Sequence, residues 1–100
     1  VPVLWCYEVG NGLLMAYRRK RISLEQVDGF LTRLKALPID AAQSNPSEIF
    51  ALPALAHKHG LTNYDTAYLA VALSSNLPLA TADKGLRRAA TSAGVAIASV

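Results

Sequence analysis

Leu61-Thr-Asn-Tyr-Asp-Thr-Ala-Tyr-Leu-Ala-Val-Ala-Leu73 is the stretch on which the fold turns. Its first turn carries one carboxylate, Asp65, and from Ala67 to Leu73 every residue is apolar or aromatic. A run with no polar face predicts a buried helix rather than a surface one. Thr62 or Asn63 can cap its start, and an acid in the first turn complements the helix dipole. Taken alone, Asp65 needs no further role. Downstream, Leu77-Pro-Leu-Ala-Thr-Ala-Asp83 reads as a short buried strand that ends in a second carboxylate. A buried helix opening with an acid, followed by a strand closing with one, is more than capping requires.

Working outward, 95–100 is expected to form a last short strand, after a helix over 83–93 that Asp83 caps and Gly94 closes. The second half then alternates helix, strand, helix, strand, which implies parallel strands joined by helical crossovers. Upstream, Ser47 can cap a helix over 47–59 that Gly60 stops and Pro53 interrupts or kinks. Leu37-Pro-Ile-Asp-Ala41 matches the Leu77-Pro-Leu pattern and reads as another short strand. Ser23-Leu-Glu-Gln26 has capping-box spacing, and Val27, Phe30, Leu31 and Leu34 recur at helical intervals, so a helix runs from 23 to 37. A first helix is expected over 5–21, ending in Arg18-Arg19-Lys20-Arg21, with 1–4 extended because Pro2 disfavours helix at Val1. Gly10 and Gly12 weaken that helix by about 1 kcal/mol each, which suggests close packing or local weakness.

One hundred residues, 52% of them hydrophobic, bound the chain to one small domain. The net charge of +3 and pI of about 9.3 suit an anionic partner without requiring one. The single cysteine, Cys6, excludes an internal disulfide and a cysteine-built zinc site; flanked by aromatic residues, it is expected to be buried. A lone thiol fits a reducing cytoplasm. No apolar run approaches the ~18 residues of a membrane span, and the start lacks both an initiator Met and the order of a signal peptide.

Three of the seven acids stand apart. Glu8 lies in the first helix among apolar neighbours, one turn before Asn11. Asp65 opens the central helix. Asp83 follows the carboxyl end of a strand, the end at which parallel α/β sheets form ligand crevices. If these three converge, their mutual repulsion calls for a hard divalent cation, Mg2+ or Mn2+. Such an ion serves phosphodiester hydrolysis, with Thr81 and Asn11 placed to orient water. Glu25, Asp28, Asp40 and Glu48 read as solvated surface. His57 and His59 are two apart on a helix and do not face one way, so they make no metal pair. The basic residues form two groups, one at 18–21 including Arg18 and Arg19, the other Lys84, Arg87 and Arg88 just after Asp83. Either is a solvated helix end or a contact for a nucleic-acid backbone.

Pro2-Val-Leu-Trp-Cys-Tyr-Glu8 with Asn11 resembles the first-helix motif of PIN-domain ribonucleases of the VapC toxin type. Leu61-Thr-Asn-Tyr-Asp65-Thr-Ala-Tyr-Leu resembles that family's central motif, and Leu79-Ala-Thr-Ala-Asp83 followed by Leu86 resembles its strand-plus-acid motif. The three occur in family order and cover nearly the whole chain. The resemblance implies a helix-rich α/β PIN-like fold with a short parallel sheet and a cytoplasmic magnesium-dependent endoribonuclease acting on RNA. It also implies a cognate antitoxin and a homodimer. Carried over residue by residue, it makes Glu8, Asp65 and Asp83 metal-coordinating acids and Thr81 their support. The chain departs from the family in lacking the opening strand with its aspartate. On that reading it is N-terminally truncated, its central strand is missing, and it is expected to oligomerise by swapping helices or pairing strands and to cleave weakly. Two functions therefore stay open: a metal-dependent ribonuclease, or a non-catalytic oligomer that binds nucleic acid or an antitoxin.

Overall fold

The computed structural model describes residues 1–98. Six helices follow in order: α1 (Val3–Arg18), α2 (Leu24–Ala36), α3 (Pro46–Phe50), α4 (Leu52–His59), α5 (Asn63–Ser75) and α6 (Lys84–Ser92). They fall into two compact units, one of Val1 with Val3–Ala41, the other of Pro2 with Ala42 onward.

In the first unit, α1 begins at Val3, so the expected extended start shrinks to Val1 and Pro2. Pro2 stands just ahead of the first turn, where a missing N–H costs nothing. The helix stops at Arg18 rather than Arg21 because Lys20 takes a left-handed conformation, φ 59°. Helix α2 opens with the expected capping box: the Gln26 N–H donates to Ser23 Oγ at 3.1 Å, and the Ser23 N–H donates to Gln26 Oε1 at 2.8 Å. It ends at Leu37, which is extended as a residue before proline prefers. The strand expected over 37–41 does not form; instead the Asp40 carbonyl accepts a hydrogen bond from the terminal amino group of Val1. The Arg33 guanidinium lies 5.1 Å from the Phe30 ring centroid, a cation–π pair at helical spacing.

No residue of α1 or α2 is buried. Between them lies an apolar cleft of about 250 Å³, lined by Trp5, Cys6, Val9, Leu31, Leu34 and Leu37 among others. Cys6 is exposed, against the expectation of burial: Trp5 lines the open cleft beside it and Tyr7 is exposed, so neither closes over it. A Cβ at Gly10 or Gly12 would meet nothing within 4 Å, so close packing is not what selects glycine there.

In the second unit, the single helix expected over 47–59 is two helices broken at Ala51. In a continuous helix the Pro53 ring would strike the carbonyl of Ile49, four residues back, whereas a proline in a first turn is free of that clash. Asn45, not Ser47, caps α3: its side chain accepts from the Glu48 N–H at 2.9 Å, with Pro46 at the first helical position. Helix α5 is capped by Thr62 and contacts both α4 and α6. From Asp65 to Ala72 no residue is exposed; Thr66, Leu69 and Ala72 are fully buried, and the exposed residues sit at the ends, Tyr64 at 67% and Leu73 at 42%. The burial expected on all sides is thus met in part: the middle of the helix is half-buried throughout and deepest on the stripe toward the core. That core is Leu69, Ala72, Leu79, Leu86, Ala89, Ala90 and Val95. Thr66 enters it without penalty because its hydroxyl donates to the Thr62 carbonyl at 2.6 Å.

The strands expected over 77–82 and 95–100 reduce, among the described residues, to one parallel bridge between Leu79 and Ile97; positions 99 and 100 lie outside those residues. The Leu79 N–H donates to the Ala96 carbonyl at 2.8 Å, and the Ala98 N–H to the Leu79 carbonyl at 2.9 Å. Pro78 has no N–H to extend the ladder. A second isolated parallel bridge joins Pro2 and Ala42.

Candidate functional site

Asp83 is held by its own turn. Its Oδ2 accepts the Leu86 N–H at 2.8 Å, one of the donors that the start of α6 leaves unmatched. Its N–H donates to Thr81 Oγ1 at 3.1 Å, and its carbonyl accepts from the Arg87 N–H at 3.0 Å. The Arg87 side chain closes the turn, Nη1 donating to the Thr81 carbonyl at 3.0 Å. A Cβ on Gly85 would sit 3.3 Å from Asp83 Oδ2, so glycine leaves the carboxylate its room. Thr81 thus accepts from the Asp83 N–H through its hydroxyl and from Arg87 through its carbonyl.

Asp65 lies in the first turn of α5, half-buried, with its N–H donating to Thr62 Oγ1 at 3.1 Å. Among the described residues no hydrogen bond or ion pair engages its carboxylate. Asp65 and Asp83 therefore stand at the opening turns of two helices that contact each other.

Glu8 belongs to α1 in the first unit and is exposed, as is Asn11 one turn on. Arg18 and Arg19 are exposed at the end of α1; Lys84 and Arg88 are exposed on α6, while Arg87 is exposed but tied to Thr81. Glu25, Asp28, Asp40 and Glu48 are exposed surface acids, Glu48 accepting a bond from Asn45 Nδ2 at 3.0 Å. His57 is exposed and His59 half-buried.

Among the described residues of either unit, no three His, Cys, Asp or Glu side chains gather as a metal-binding group. Magnesium does not require such a cage. It is commonly held by one or two carboxylates with waters and substrate phosphates completing the shell, and Asp65 and Asp83 are hard oxygen donors of that kind. Sequence reasoning placed Asp83 but missed the clamp of Gly85 and Arg87 around it. The available signal was Gly85 itself, a poor helix former in a first turn.

Residues 1–92 match the family model described as the PIN domain. No curated protein and no solved structure gives a significant match.

Proposed function

The chain belongs to the PIN domain family, and on that premise we propose that it is a VapC-like, metal-dependent endoribonuclease. PIN membership points to a nuclease acting on nucleic acid with a divalent cation. The reading is carried by the placement of Asp65 and Asp83, at the first turns of two contacting helices inside the matched span.

Asp65 and Asp83, both in the second unit, would hold Mg2+ or Mn2+, and the family resemblance keeps Glu8 of the first unit as a candidate acid. The bound ion supplies Lewis acidity toward phosphate oxygens and a water of lowered pKa. The chain's own groups do the positioning. Thr81 and Arg87 fix the backbone leading into Asp83, and the Leu86 N–H orients its Oδ2. Arg18, Arg19, Lys84, Arg87 and Arg88 contact the RNA backbone, where each matched charge releases counterions. An antitoxin partner, a homo-oligomer and a cytoplasmic setting complete the reading; no described helix is long and apolar enough to cross a membrane.

A second reading is a protein that binds nucleic acid or an antitoxin without cutting. It is favoured by the lack, within either unit, of three gathered acids among the described residues. RNA cleavage with Mg2+ or Mn2+ separates the two, run beside Asp65→Asn and Asp83→Asn. Metal-dependent cleavage lost in both variants supports the nuclease. Cleavage unchanged in both removes the site. Binding without metal-dependent cleavage in the unaltered protein selects the second reading.

A further inference from the structure

Four helices among the described residues end in the same backbone turn. In each, a residue in the left-handed conformation donates its N–H three residues back, and the next residue donates five back. For α4 the donors are Gly60 to His57 and Leu61 to Ala56; for α5, Asn76 to Leu73 and Leu77 to Ala72; for α6, Gly94 to Thr91 and Val95 to Ala90. For α1 they are Lys20 to Tyr17 and Arg21 to Ala16, both at 2.9 Å. Three of these turns use the residues the geometry prefers, glycine or asparagine at the left-handed position and then leucine or valine. The turn after α1 departs at both places. It puts lysine at φ 59° and arginine after it.

Both departures go toward positive charge, and they extend Arg18 and Arg19 into four consecutive cations. All four are exposed, and none is in an ion pair among the described residues. Attraction to the helix C-terminus accounts for cations in the last turn, but Arg18 and Arg19 already supply that, and it gives no reason to place a Cβ in a left-handed conformation. Two departures from a local preference, both toward charge, point to a use outside the turn.

We infer that the turn at residues 18–21 is a docking contact for the phosphate backbone of RNA, with Lys20 retained for its charge against the conformational preference of its position. The inference rests on the nucleic-acid reading above and adds Lys20 and Arg21 to it. A lipid surface is the poorer fit. The matched nucleic-acid family favours RNA over lipid headgroups of the same charge, and the vesicle arm of the test separates the two.

The test uses the full chain with Lys20→Gly and Lys20→Asn, and Lys58→Gln as a charge-matched control on another exposed lysine. Amide exchange of residues 16–19 is measured first, then affinity for a labelled single-stranded RNA over a salt series. Both Lys20 variants should slow exchange about five-fold, because glycine and asparagine accept the left-handed conformation. Both should also weaken RNA binding about four-fold near physiological salt and make the slope of log affinity against log salt shallower by about 0.7. The control should leave the slope unchanged. Slower exchange with unaltered affinity and slope would show that Lys20 is only a tolerated cap, and overturn the inference. An equal loss in Lys58→Gln would reduce it to net charge. No RNA binding by the unaltered protein would remove both the inference and the reading beneath it, and preferential binding to anionic lipid vesicles would replace RNA as the partner.

Discussion

Asp83 has two jobs in this chain, and they can be separated by two substitutions. As a cap, its Oδ2 accepts the Leu86 N–H at 2.8 Å, and Leu86 is itself only 5% exposed. Asparagine keeps an acceptor in that place and ranks with aspartate as a cap, so Asp83→Asn gives up only the charge–dipole attraction, about 0.3–1 kcal/mol. Alanine removes the acceptor as well. That change costs about 1–2 kcal/mol, since it leaves a sheltered N–H without its partner. For a domain of this size each kcal/mol moves Tm by about 4–8 °C, so Asp83→Ala should melt about 4–15 °C early. Asp83→Asn should melt only about 1–8 °C early, less than its alanine counterpart. Melting followed by far-ultraviolet circular dichroism measures the first job, and RNA cleavage in Mn2+ the second. If Asp83 holds the metal, both variants lose cleavage while only the alanine loses substantial stability. Equal destabilisation would show that the cap argument is wrong. Metal-dependent cleavage surviving in Asp83→Asn would show that the ligand argument is wrong.

Three further outcomes are expected. Leu69 is 0% exposed at the centre of the core, so Leu69→Ala should lose about 2–5 kcal/mol in urea unfolding; a loss under about 1 kcal/mol would mean that the core collapses around the gap. Gly85→Ala puts a methyl 3.3 Å from Asp83 Oδ2, so stability should hold or rise with alanine's better helix propensity while metal-dependent cleavage falls; unchanged cleavage would show that the carboxylate has slack. Cys6 is exposed, so iodoacetamide should alkylate it in native buffer at close to the rate seen in denaturant, and protection until unfolding would contradict the open cleft.

Much of the helical framework was legible because its signals are local. Ser23 with Gln26, Thr62, Gly60, Asn76, Asp83 and Gly94 act within one turn of themselves, and each ends or opens a helix where its chemistry says it should. Pro53 was legible as a disturbance, but not as a clean division with Asn45 and Pro46 starting a separate helix. Burial was harder to read. The run from Ala67 to Leu73 shows that α5 can be covered on any side; only the packing partners decide that Thr66, Leu69 and Ala72 are covered while Leu73 is not. Cys6 failed for the same reason, since aromatic neighbours in sequence need not close over a side chain in space. The apolar stretches over 77–82 and 95–100 have strand composition, yet ladder formation depends on what lies beside each edge, and composition is silent on that. At the candidate site the acids could be picked out singly. The clamp around Asp83 could not, because it depends on a guanidinium reaching six residues back to the Thr81 carbonyl.

The uneven burial of the two units decides what an unfolding experiment sees. Helices α1 and α2 contain no buried residue, while the core cluster lies wholly within the second unit. Segments with little buried surface open at lower free energy than segments with more. The chain's only tryptophan, Trp5, is in α1. Tryptophan fluorescence therefore reports the first unit, while the core of the second is flanked by Tyr68 and no tryptophan. A variant such as Leu69→Ala could pass a fluorescence screen as intact while its calorimetric transition has already moved.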